Sequence, residues 1–174
     1  MSDPLSKLRR MMGDLPPPVP RTAAGSVSNL PPGGEWIAPG VYLVESIQPL
    51  AEPFGTFDLS ALPCASGRLS PWGAAEPPCF LDLETTGLAG GTGTYAFLAG
   101  IVTLEEAAVR VRQLFLATPS RETEWLDALD QIVPRGAGFV TYNGRRFDLP
   151  LLQTRTILAR RHVSPVSACT NTGT

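Results

Sequence analysis

The chain has 174 residues, a formal net charge of −2, and 43% hydrophobic against 17% charged side chains. This length holds one ordinary domain with an appendage, not two full-sized ones, and the composition excludes a chain disordered throughout. The charge balance argues against strong general affinity for nucleic acid, and no apolar run approaches the ~20 residues of a membrane helix.

The N-terminal stretch MSDPLSKLRRMMGDLPPP has positive charge but no apolar core, so a secretory signal is not expected and a cytoplasmic protein is. Cys64, Cys79 and Cys169 are odd in number and lack CxxC spacing, which points to reduced thiols rather than a disulfide or zinc site. Charge is unevenly spread: residues 135–174 carry six arginines against the single acid Asp148.

Proline divides the chain, with 14 of its 18 prolines at or before Pro78. Residues 1–34, with LPPPVP and LPPGG, have no periodicity and too little apolar surface to offset ordering entropy, so a disordered tail is expected. Residues 35–77 are expected to form a loosely structured extension lying on the domain that follows, with a strand possible at Gly40–Glu45. From Pro78 the pattern changes. Cys79–Glu84 is a short apolar run with alternating carboxylates, which predicts a buried strand with one polar face. Thr85 to Thr94 is a glycine-rich turn, Tyr95–Thr103 a second strand and Val109–Ala117 a third, with Glu105 and Glu106 in the exposed turn between them.

A helix follows. Thr118 to Ser120 offers an N-cap, Glu122 and Glu124 favour the positive end of the helix dipole, and Trp125, Leu126, Leu129, Ile132 and Val133 form one apolar face. Pro134 and Gly136 stop it. Gly138–Thr141 predicts a fourth strand, Asn143-Gly144 a tight turn, and Asp148 or Leu149 the start of a second helix with Pro150 in its first turn. Short hairpin links make the first three strands antiparallel, and the helical crossover lets the fourth run parallel to one of them. The expected class is α/β: a mixed sheet of three antiparallel strands, then helix, strand and helix.

Asp82 and Glu84 are two apart on a strand, so both carboxylates share a face. Adjacent acids repel unless something positive lies between them, and carboxylates suit hard Mg²⁺ or Mn²⁺. Asp148 stands just past the fourth strand, and parallel neighbours end at the same sheet edge, so it can approach the pair. Three converging carboxylates are the arrangement of a two-metal phosphodiester nuclease. A lone Asp-x-Glu also occurs by chance, and solvated acids at a strand end are the plain alternative. Arg145 and Arg146 could meet phosphates or simply be solvated. Tyr95, Phe97 and Trp125 are expected in the core. Gly90, Gly91 and Gly93 lack the Lys-Ser/Thr of a P-loop, which argues against a nucleoside-triphosphate site.

Phe80-Leu-Asp-Leu-Glu-Thr-Thr-Gly-Leu88 resembles the first exonuclease motif of the DEDD superfamily, and Thr141-Tyr-Asn-Gly-Arg-Arg-Phe-Asp-Leu-Pro-Leu151 resembles the second. Leu88-Ala-Gly-Gly-Thr-Gly-Thr-Tyr-Ala-Phe-Leu-Ala-Gly100 is similar to the bacterial YprB-type branch. The resemblance covers about residues 78–162. It implies an RNase H-like fold and a 3′→5′ exonuclease acting on single-stranded nucleic acid, DNA or RNA, with two Mg²⁺ or Mn²⁺ ions. By the same resemblance Asp82, Glu84 and Asp148 are metal ligands. Thr85, Thr86, Gly87 and Leu88 hold the terminal nucleotide, and Asn143 and Phe147 shape the second motif as substrate-binding residues.

The superfamily closes its site with a His or Tyr base and a fourth acid four or five residues later. His162 is the only histidine and no such acid follows it, because Val166 and Ser167 stand there. Residues 163–174 have no strand or helix pattern, so the expectation is a partial domain over 78–162, without its final strand and helix and with impaired activity. The alternatives are a non-catalytic nucleic-acid or partner-binding remnant, or a nonfunctional fragment.

Overall fold

A computed structural model describes residues 30–61, 78–87, 93–142 and 144–161. Their strands form one six-stranded sheet: β1 (Glu35–Ala38), β2 (Val41–Pro49), β3 (Cys79–Thr85), β4 (Ala96–Leu104), β5 (Ala108–Leu116) and β6 (Phe139–Val140). The spatial order is β1-β2-β5-β4-β3-β6. β3, β4 and β5 are antiparallel neighbours, and β6 runs parallel to β3 through the pairs Cys79↔Phe139 and Phe80↔Val140. The mixed α/β topology is therefore the one the alternation of elements predicts. The fourth strand is shorter than expected, two residues instead of four.

The sheet starts earlier than expected. Residues 35–49 are not a loose extension over the domain, because β2 pairs with β5 along its whole length, from Val41↔Leu116 to Pro49↔Ala108. β1 folds back on β2 through Pro39-Gly40, where Gly40 takes a φ of 72° that only glycine adopts readily. The sequence offers a strand at Gly40–Glu45 but not the partner that makes it part of the sheet. Glu45 is answered from β5 by Arg110 and Arg112, both at 2.7 Å, although more than sixty residues separate the partners. Non-local pairing of this kind leaves no short-range signal.

Two helices cover one face of the sheet: α1 (Glu122–Ile132) and α2 (Asp148–Leu158). Trp125, Leu126 and Leu129 of α1 and Leu149, Leu151 and Leu152 of α2 join Cys79, Leu81 and Leu83 of β3 in a single buried cluster. Trp125 is fully enclosed, and its indole N–H donates to the Leu114 carbonyl of β5 at 3.0 Å, so the largest core side chain satisfies its polar atom. Glu122 of α1 receives hydrogen bonds from Arg155 of α2, and the Arg161 guanidinium reaches Asp127 and Asp130. These pairs fix the helices to each other. α1 is entered through a 3₁₀ turn, Pro119–Arg121, and the Thr118 hydroxyl faces that of Ser120 at 3.3 Å instead of capping the helix.

Alternation along β3 decides what faces the helices. Cys79, Leu81 and Leu83 are buried beneath them, while Asp82 and Glu84 are exposed. Among the described residues no helix lies over that second face.

Candidate functional site

Because β6 is parallel to β3, both strands deliver their chains to the same sheet edge. β3 brings Asp82 and Glu84 there. β6 is followed in the chain by α2, whose first residue is Asp148. Asp148 is only 4% exposed, in contrast to the two open acids of β3. Burial first, and then the neighbouring Asp82 charge, hold its carboxyl above the ordinary aspartate range. Among the described residues, no side-chain hydrogen bond or ion pair involves the carboxylates of Asp82, Glu84 or Asp148. Asp82 thus adds a like charge near a buried carboxyl, the electrostatic condition that a bound divalent ion relieves.

Of the three carboxylates expected to converge, an electrostatic influence links Asp82 and Asp148. Asp82 and Asp148 feel each other's charge, but the described residues contain no group of three or more His, Cys, Asp or Glu side chains placed to hold a metal. A register irregularity falls between Glu84 and Thr85, where β3 leaves its regular pairing with β4. The donors present suit Mg²⁺ or Mn²⁺ in kind, being hard carboxylate oxygens, and the buried uncompensated acid suits a cation in charge. They fit as a pair, not as a finished cage.

The turn after β3 is held by its own threonines. The Thr85 hydroxyl donates to the Gly87 carbonyl at 3.0 Å, and the Thr86 amide donates to the Tyr95 carbonyl at 3.1 Å. The Tyr95 amide returns a bond to the Thr86 hydroxyl at 3.3 Å. Among the described residues, a Cβ placed on Gly87 would meet nothing closer than the Thr94 hydroxyl at 3.8 Å, which leaves its backbone open to close approach on that side. Phe147 packs partly buried against the core immediately before α2, and its carbonyl accepts the Leu151 N–H. Leu88, Asn143 and His162 lie outside the described residues.

Aromatic expectations divide. Trp125 is core and Tyr95 packs against it, but Phe97 is 39% exposed on β4. Tyr142, beside Asn143 in the second motif, is 92% exposed and was not singled out from sequence. Its position one residue before an Asn-Gly turn was the available signal, since turn residues are rarely enclosed.

The RNase_H_2 family model, described as RNase_H superfamily, matches residues 79–172, more than half of the chain. Over 81 residues the chain is 41% identical to "Uncharacterized protein YprB" of Bacillus subtilis (strain 168), an alignment covering 47% of this chain and 19% of that protein. The chain thus matches about a fifth of that relative's length. From the extent of the family match and a mixed sheet that carries acids at the shared edge of its parallel strands, the chain belongs to the RNase H superfamily, whose domains are of nuclease type and generally use divalent metals.

Proposed function

We propose that this domain is a metal-dependent 3′→5′ exonuclease-type nuclease acting on single-stranded nucleic acid. The observation that carries the proposal is the Asp82–Asp148 pair: one acid buried, neither with a cationic partner among the described residues, both at the shared edge of parallel strands. In this reading Asp82 and Asp148 are the principal metal ligands, and Glu84 is a third carboxylate on the same strand face as Asp82. When bound, Mg²⁺ or Mn²⁺ supplies Lewis-acid polarisation of the phosphate and a water of lowered pKa. The chain's part is to position. The helix-covered face keeps Asp148 in a fixed, poorly solvated place. The uncovered face leaves room for a strand of nucleic acid beside Asp82. The Thr85–Gly87 turn offers open backbone to the terminal nucleotide.

A second reading is favoured by the absence of a three-ligand cluster among the described residues: the same edge binds nucleic acid without cutting it. Incubation of 5′-labelled single-stranded DNA and RNA with Mn²⁺ separates the two. Stepwise shortening that disappears in Asp82→Ala and Asp148→Ala is expected for the nuclease. Mn²⁺-promoted binding with no shortening would favour the second reading, and shortening that persists in both variants would overturn the first.

A further inference from the structure

Tyr142 occupies a place that the acids alone do not explain. A single exposed aromatic is ordinary on a protein surface. This one stands two residues past Val140, the end of β6, where the chain goes on toward Asp148, and among the described residues it is the most exposed of the large hydrophobic side chains. The described residues beside it are braced. Gly144 lies so close to Thr141 that an added Cβ would sit 2.2 Å from the Thr141 hydroxyl, and the Leu149 N–H donates to the Gly144 carbonyl at 2.9 Å. An aromatic ring beside braced residues, with few torsions of its own, loses little entropy when something stacks on it. Arg145 and Arg146, exposed in the same turn, supply positive charge for a phosphate backbone.

We propose that Tyr142 is a stacking platform for a base of the single strand held at the Asp82–Asp148 edge. This inference rests on the nucleic-acid reading of that edge and adds a subsite to it. Every base has a π-face, so the platform is tolerant of sequence and of the sugar. It holds the strand by a base while the acid edge addresses the backbone.

The test measures binding of the full chain to a fluorescent single-stranded DNA by anisotropy, with Ca²⁺ in place of Mn²⁺ to suppress turnover. A second oligonucleotide has its last three 3′ nucleotides abasic. Tyr142→Ala is expected to weaken binding of the normal strand roughly 5- to 150-fold, while Tyr142→Phe stays within about 3-fold. The wild type should lose a similar factor on the abasic strand, and Tyr142→Ala should lose almost nothing further. Equal binding by Tyr142→Ala and wild type, or an undiminished abasic penalty in Tyr142→Ala, overturns the platform. If that occurs while Asp148→Ala still abolishes Mn²⁺-dependent shortening, only the platform falls. A wild type that neither binds nor shortens the strand removes the nuclease reading and the platform together.

Discussion

Gly144→Ala tests how tightly the second-motif turn is built. Gly144 does not adopt positive φ, so alanine is acceptable to its backbone and any cost must be steric. The new Cβ would lie 2.2, 2.4 and 2.8 Å from the hydroxyl, Cβ and Cγ2 of Thr141, each well inside van der Waals contact. Restoring ordinary contacts requires the chain to open by about 1 Å, and overpacking of this kind costs about 1–3 kcal/mol. At this chain length that lowers Tm by roughly 2–12 °C. The Leu149–Gly144 hydrogen bond couples the turn to the start of α2, so Asp148 moves with it, and a displacement of ~1 Å can lower a rate ~10²-fold. Thermal melts and the Mn²⁺ shortening assay give the two readouts. Thr141→Ala should rescue only part, because it leaves the Cβ at 2.4 Å, whereas Thr141→Gly in the same background should recover most of the loss. A Gly144→Ala protein that melts and cuts like the wild type would refute the reasoning, since the turn would then yield without cost.

Asp148→Asn should raise the Tm of the metal-free protein at pH 7. A carboxyl raised in the folded state favours folding below its unfolded pKa, near 3.8, and that contribution is lost as pH rises through the higher folded value. The difference in Tm between variant and wild type should therefore shrink as pH falls toward 4, and Mn²⁺ should stabilise the wild type more than the variant. Gly87→Ala should leave Tm within about 1 °C, because among the described residues its Cβ meets only Thr94 at 3.8 Å, yet weaken oligonucleotide binding measured by anisotropy. Arg160→Gly should stabilise by up to ~1 kcal/mol in chemical denaturation. Arg160 has φ 53° where α2 ends, with Arg160 N–H bonded to the Ile157 carbonyl and Arg161 N–H to that of Thr156, a C-terminal motif that ordinarily takes glycine.

The nature of the domain was legible in its sequence where physical signals are local. Alternation in Cys79–Glu84 gave a strand with acids on one face. The apolar spacing of Trp125, Leu126 and Leu129 gave the buried stripe of α1, and short hairpin links gave the antiparallel order of β3, β4 and β5. The paired motifs around Asp82 and Asp148 pointed to the superfamily that the family match bears out. What depended on contacts between distant segments was not legible. Residues 35–49 belong to the sheet because β2 pairs along its whole length with β5, a strand far along the chain, with Glu45 meeting Arg110 and Arg112 across it. The separation of Asp82 and Glu84 into open positions while Asp148 is enclosed also depends on which face α1 and α2 cover. Residue order sets periodicity, turn chemistry and the donors available. Burial, which decides how strongly a carboxyl needs a cation and whether a tyrosine is core or platform, exists only once the helices have chosen their face of the sheet.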